Sequence, residues 1–152
     1  MVANGSCSVL ACGSSALVAT LVLLASLALC EGKAHIVVPC YNEETRLPQQ
    51  VFLDFVDQAA NKDVLFTFVN DGSSDGTLRV LRELAAKRPQ RMSVFNLEVN
   101  GGKAEAVRKG MLHVLLSRNL TREDVVAFWD ADLATPLETI PRFMRKLEEN
   151  EK

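Results

Sequence analysis

The sequence predicts an α/β domain built on a mostly parallel sheet with helices on both faces. Short β-branched apolar runs alternate with amphipathic helical patterns four times after residue 33. The strand runs are apolar throughout, as strands buried on both faces are. Every polar, glycine-rich cluster falls directly after such a run. Ligands of open α/β sheets bind outside the carboxyl ends of the strands, so the chemistry is expected at those four ends.

Ile36-Val37-Val38 is the first strand, and Pro39 is expected to close it. Val51, Phe52, Phe55, Val56 and Ala59 recur at helical spacing. Val64 to Val69 is the second strand. Leu78, Leu81, Leu84 and Ala85 mark the next helix, ended by Pro89. Met92 to Leu97 is the third strand, and Val107, Met111, Val114 and Leu115 line the third helix. Val125 to Trp129 is the fourth strand. The last helix carries Thr135-Pro136-Leu137-Glu138, which joins a capping box to proline at the first helical position. Its apolar face is Ile140, Phe143, Met144 and Leu147.

The chain of 152 residues, 48 % hydrophobic, suits one globular domain, from residue 33 to residue 152. A formal net charge of −2 and the lack of a basic stripe speak against a nucleic-acid partner. Cys7, Cys12, Cys30 and Cys40 have neither zinc-site nor disulfide-framework spacing, and read as small apolar residues.

Residues 1–32 stand apart. No charge occurs from Ser8 to Cys30, and Ala16 to Leu29 is almost wholly apolar, long enough for a hydrocarbon core of about 30 Å. Two readings are open. A signal anchor would hold the domain at a membrane; a cleaved signal peptide would end near Ala28-Leu29-Cys30. No Lys or Arg precedes the apolar stretch, whereas Lys33 and Arg46 follow it. That asymmetry favours the anchor, with the domain on the cytosolic side.

At the fourth strand end stands Asp130-Ala131-Asp132. Side chains at i and i+2 of a strand point the same way. If the extended backbone continues through Ala131, both carboxylates converge on one hard cation, Mg²⁺ or Mn²⁺. The small Ala131 would keep the site open to a diphosphate. The competing reading is an Asp-rich turn with Asp132 solvated. At the second end, Asp71 precedes Gly72, whose freedom permits a tight turn that leaves the carboxylate open to a ligand N–H. Ser73, Ser74 and Asp75 read equally as helix caps, and Asp75 is taken as structural. At the third end, Gly101-Gly102-Lys103 opens a helix whose amides favour anions. It is no P-loop, because Leu97 and Ala104 stand where glycine and Ser or Thr are needed. Lys103 either approaches a phosphate as a point charge or is a solvated helix-start lysine. At the first end, Tyr41 offers a flat face for a base or sugar, and Glu43 a partner for ribose hydroxyls. The alternative is an ordinary loop with Asn42 and Glu43 as caps.

Val37-Val38-Pro39-Cys40-Tyr41-Asn42-Glu43-Glu44, Phe68-Val69-Asn70-Asp71-Gly72-Ser73-Ser74-Asp75-Gly76-Thr77 and Asp130-Ala131-Asp132 together resemble the inverting family 2 glycosyltransferases, which have the Rossmann-like GT-A fold. Thr45-Arg46-Leu47-Pro48 and Gly102-Lys103-Ala104-Glu105-Ala106-Val107-Arg108 look most like the dolichyl-phosphate β-glucosyltransferase branch and its bacterial polyprenyl-phosphate relatives. The resemblance runs from about Ile36 to Pro141. It implies that Pro39, Tyr41 and Glu43 contact the nucleoside, that Asp71 reads uracil, and that Asp130 and Asp132 hold the metal on the diphosphate. Asn42, Gly72, Lys103 and Ala131 are counted in the same nucleotide-sugar site. The implied donor is a UDP-sugar, UDP-glucose for that branch. The implied acceptor is a polyprenyl (dolichyl) phosphate in the membrane, which fits an anchored domain on the cytosolic face of the endoplasmic reticulum.

The sequence is also compatible with a GDP-mannose donor, a glycan acceptor, or a nucleotide-sugar-binding domain without transfer. A sugar-nucleotide pyrophosphorylase needs a glycine- and basic-rich loop after the first strand, where Tyr41-Asn42-Glu43-Glu44 is acidic. Members of the family continue beyond the point reached at Lys152. The expectation is therefore a C-terminally incomplete domain, lacking the acceptor-side and catalytic residues.

Overall fold

The computed structural model describes residues 32–150. The anchor or signal peptide expected in residues 1–32 falls almost wholly outside them. Among the described residues, no helix is long and apolar enough to cross a membrane.

Four strands and four helices alternate: β1 (Ala34–Cys40), α1 (Gln49–Asp57), β2 (Val64–Asp71), α2 (Thr77–Lys87), β3 (Met92–Leu97), α3 (Lys103–Ser117), β4 (Val125–Phe128) and α4 (Thr139–Asn150). The sheet order is β3-β2-β1-β4, and every pairing is parallel. The chain thus winds outward from β1 to β3, then crosses back through α3 to lay β4 on the other side of β1. That reversal opens a crevice at the carboxyl ends of β1 and β4, where such folds hold ligands. Register keeps the rim level: Cys40 lies opposite Asn70, and Asp71 opposite Leu97.

Each face of the sheet has its own core, because strand side chains alternate. On one face, Phe52 of α1 meets Phe66 and Phe68 edge-on, with ring centroids 5.3 and 5.1 Å apart. Leu81, Leu84, Leu137 and Ile140 extend this cluster. On the other face, Val37 and Val69 pack against Ala106 and Val114 of α3. The helix lies close to the sheet at Gly110, where a Cβ would come within 2.6 Å of Val37 Cγ1 and 2.7 Å of Val69 Cγ2.

Several boundaries differ from expectation, each for a physical reason. Pro39 does not stop β1, which runs on to Cys40. The Val37 carbonyl accepts the Trp129 N–H on the β4 side. Pro39 therefore faces that same side, beyond the end of β4 at Phe128, where no donor is needed. Helix α1 ends at Asp57, and Ala59 enters a 3₁₀ turn, Ala59–Asn61. The capping box at Thr135 does not form. The Thr135 carbonyl instead accepts the Trp129 indole N–H at 2.7 Å, and α4 begins at Thr139 after a turn closed by Thr139 N–H to Pro136 O. Strand β4 is less covered than a doubly buried strand: it is an edge among the described residues, with Phe128 48 % exposed.

Candidate functional site

A cleft of about 330 Å³ opens at the carboxyl rim of the sheet. Pro39, Tyr41 and Glu43 reach it from the end of β1, Asp71 from β2, Lys103 from the start of α3, and Asp130, Ala131 and Asp132 from the turn after β4. Asn42 and Gly72, also expected there, are not in its wall. Cys40, Asn100 and Gly102 line it although sequence reasoning did not select them. Asn100 and Gly102 belong to a polar cluster already read as a strand end, so the signal was present. Cys40 carried none, being apolar by type.

Asn42 holds the scaffold. Its amide donates to Ser73 Oγ at 3.1 Å and its side-chain oxygen accepts the Ser74 N–H at 3.0 Å. Glu43 N–H donates to Thr77 Oγ1 at 2.7 Å, and Glu44 accepts the Gly76 N–H and an Arg79 guanidinium N–H. The loops after β1 and β2 are thereby locked together. Ser73 and Ser74 serve this lock rather than capping α2, and the reading of Asn42 and Glu43 as caps of α1 fails because that helix starts only at Gln49. Asp75 accepts from both the amide and the hydroxyl of Thr77. Burial pushes its carboxyl up, but the hydrogen bonds from Thr77 and Glu44 outweigh this and hold it below the usual range. Glu43 keeps a carboxylate at the cleft wall, with one oxygen 2.9 Å from Arg46.

Asp71 is 2 % exposed. The sequence implies a carboxylate left free for a ligand, but Oδ1 accepts the Gly101 N–H at 2.9 Å. Its carbonyl accepts the Asn100 amide at 3.1 Å. Gly72 turns the chain at φ 60°, and a Cβ there would lie 2.3 Å from the Asn100 nitrogen. The loop before α3 therefore rests on the end of β2. Gly102 follows at φ 83°, with open space where a Cβ would be, and no side chain caps the first amides of α3. Lys103 Nζ stands 2.5 Å from Asp130 Oδ1. Two residues on, hydrogen bonds from Arg108 hold the pKa of the Glu105 carboxyl down at about 2.

The two aspartates after β4 reach the cleft by a different geometry from the one expected. The backbone is not extended through Ala131. Leu133 N–H donates to Asp130 O at 3.2 Å, and Leu133 takes φ 56°, closing a turn. Asp132 accepts the Ala134 N–H at 3.0 Å. Ala131 is 7 % exposed and belongs to the core under the cleft, so it is an anchor as well as a spacer.

The donor set fits a hard divalent ion. It is all oxygen, and Asp130 Oδ1 is buried, makes no hydrogen bond of regular angle, and has an ammonium as its counter-charge. Among the described residues no three His, Cys, Asp or Glu side chains cluster as ligands. Mg²⁺-type sites need no such cluster, taking one or two carboxylates plus substrate phosphates. The Cys40 thiol is held protonated, its pKa pushed up by burial and then by Glu43, so it offers no nucleophile at the rim.

A parallel sheet with an acidic cleft at its topological switch defines an α/β domain of the kind that holds ligands at the carboxyl ends of its strands. The model of glycosyl transferase family 2 matches residues 35–152, and the chain belongs to that family. A dolichyl-phosphate beta-glucosyltransferase of Trichomonas vaginalis is 38 % identical over 109 residues, covering 68 % of this chain and 31 % of that protein. An undecaprenyl-phosphate 4-deoxy-4-formamido-L-arabinose transferase of Klebsiella pneumoniae is 31 % identical over 118 residues, covering 77 % and 34 %. The chain thus spans about a third of the length of these curated relatives. Among solved structures, a Pyrobaculum calidifontis mannosyltransferase in complex with GDP-Man and Mn²⁺ aligns with TM-score 0.52 at 24 % identity, over 72 % of this chain and 30 % of that one. Residues 1–349 of TarS from S. aureus align with TM-score 0.57 at 24 % identity, over 77 % and 32 %. Both likenesses concern the fold.

Proposed function

We propose that the cleft binds a UDP-sugar, UDP-glucose, and is the donor half of an inverting glycosyltransferase acting on a polyprenyl phosphate. The observation that carries this reading is the meeting of Asp71, Lys103, Asp130 and Asp132 around one cleft from three separate strand ends. The names of the relatives, which act on dolichyl and undecaprenyl phosphates, support the acceptor class.

Each residue has a task set by its chemistry. Asp71 lies at the inner wall with Oδ1 committed to Gly101, and its other oxygen would accept the uracil N–H. Tyr41, 47 % exposed, would stack on the base, and Glu43 would bond ribose hydroxyls. Gly102 leaves space for the diphosphate beside the uncapped amides of α3. Asp130 and Asp132 would hold Mg²⁺ or Mn²⁺, which supplies charge neutralisation for the departing UDP. Transfer forms a bond from an acceptor phosphate oxygen to the anomeric carbon as the sugar–diphosphate bond breaks on the opposite face. A phosphate monoester with a second pKa of about 6 is already anionic at neutral pH, so these residues need supply no strong base. The apolar run from Ala16 to Leu29 would hold this cleft at the cytosolic face of the endoplasmic reticulum, near a lipid acceptor.

GDP-mannose is the second donor to consider, because the aligned mannosyltransferase holds it with Mn²⁺. Calorimetric titration of UDP-glucose and GDP-mannose, with and without Mn²⁺, separates the two. The expected result is preference for UDP-glucose, strengthened on the order of tenfold or more by the metal, with the metal effect lost in Asp130→Ala. Equal affinity for both donors, or none for either, would count against the proposal.

A further inference from the structure

The contact between Lys103 and Asp130 links two parts of the proposed site that have opposite needs. Lys103 Nζ lies 2.5 Å from Asp130 Oδ1, an oxygen that is itself buried. The lysine side chain is 60 % exposed and that of Asp130 41 %, so the pair is not sealed from water and the ammonium is free to exchange. The same lysine begins α3 directly after Gly102, beside the open space at the helix start. One ammonium therefore serves two anions: the Asp130 carboxylate, and any diphosphate lying at the start of α3.

From this geometry we infer that Lys103 is a positioning residue which guards Asp130 against a divalent cation until a nucleotide diphosphate draws the ammonium away. The inference rests on reading the cleft as a metal-dependent nucleotide-sugar site. A cation arriving alone must displace the ammonium and then sit beside a positive charge. A diphosphate gives Lys103 another partner and exposes Asp130 Oδ1 to the metal. Nucleotide and metal then strengthen one another, and linkage makes the factor the same in both directions. The metal enters with the donor rather than ahead of it, which limits occupancy of the site by cations alone.

The test is Mn²⁺ affinity, read from the EPR signal of free Mn²⁺, on the full chain in detergent with and without UDP. Lys103→Met is expected to bind Mn²⁺ alone about two- to fivefold more tightly than the unaltered chain, the range set by a half-exposed ion pair. The same variant binds UDP more weakly, and UDP strengthens its Mn²⁺ binding by a smaller factor. Lys103→Arg keeps the wild-type pattern, and matching thermal melts exclude a general loss of structure. If the unaltered chain binds Mn²⁺ with UDP but Lys103→Met shows unchanged or weaker affinity for Mn²⁺ alone, the guarding role is wrong and the site reading stands. If the unaltered chain binds no Mn²⁺ even with UDP, the site reading fails and takes the guarding role with it.

Discussion

Asp71→Ala is expected to abolish UDP binding and to lower stability by about 0.5–1.5 kcal/mol, the net worth of the hydrogen bond from the Gly101 N–H that it removes. The two effects have separate causes. Asp71 Oδ1 accepts the Gly101 N–H, and the neighbouring Asn100 amide reaches the Asp71 carbonyl, so the side chain ties the loop before α3 to the end of β2. The remaining carboxylate oxygen is the one assigned to the uracil N–H. Asp71→Asn separates these roles. Its amide oxygen still accepts from Gly101, so urea unfolding stays near the wild-type midpoint. Its NH₂ group meets the uracil N–H donor to donor, and UDP affinity falls. Retention of UDP affinity in Asp71→Asn would show that the aspartate is a loop anchor and nothing more.

Gly72→Ala is expected to cost more stability than a methyl added at Gly102 in the cleft wall. The residue sits at φ 60°, where a side chain adds about 1–2 kcal/mol of backbone strain. The new Cβ would also lie 2.3 Å from the Asn100 nitrogen and 2.7 Å from the Val99 carbonyl carbon, which are backbone atoms and cannot swing aside. The combined loss should be about 2–5 kcal/mol, taking overpacking at about 1–3 kcal/mol. UDP binding should fall with it, because Asn100, Gly102 and Lys103 ride on the displaced loop. Gly102→Ala is the control. Its φ of 83° imposes similar strain, but no atom lies within 4 Å of the added carbon. It should lose only the strain term and still fold, while its methyl intrudes on the diphosphate. Equal unfolding midpoints for the two variants would contradict this packing argument.

The alternation of apolar strands and amphipathic helices was legible in the sequence because both periods follow from local geometry. The polar rim that lines the cleft was legible too, since the polar clusters sit at strand ends whatever the strand order. What was hidden depends on partners far along the chain. Asn42 reads as a ligand contact from its neighbours, yet its partners are Ser73 and Ser74, and only the fold brings those loops together. Thr135 has the pattern of a cap, but the Trp129 indole claims its carbonyl and delays α4 to Thr139. The pleat argument for Asp130 and Asp132 fails because the strand has ended by Phe128 and a turn follows. Both aspartates still line the cleft, by a turn that residue types alone did not specify. Pro39 misled for the complementary reason: its position beyond the end of β4 makes a missing donor harmless.

The whole account depends on acidic oxygens from different β-strands acting on one metal–nucleotide complex. The most direct measurement is the anomalous scattering of Mn²⁺ in crystals of the chain grown with UDP. The account predicts a single peak within coordination distance of the Asp130 and Asp132 carboxylates, with the uracil ring against Asp71. A peak elsewhere, or a uridine bound away from Asp71, would contradict it.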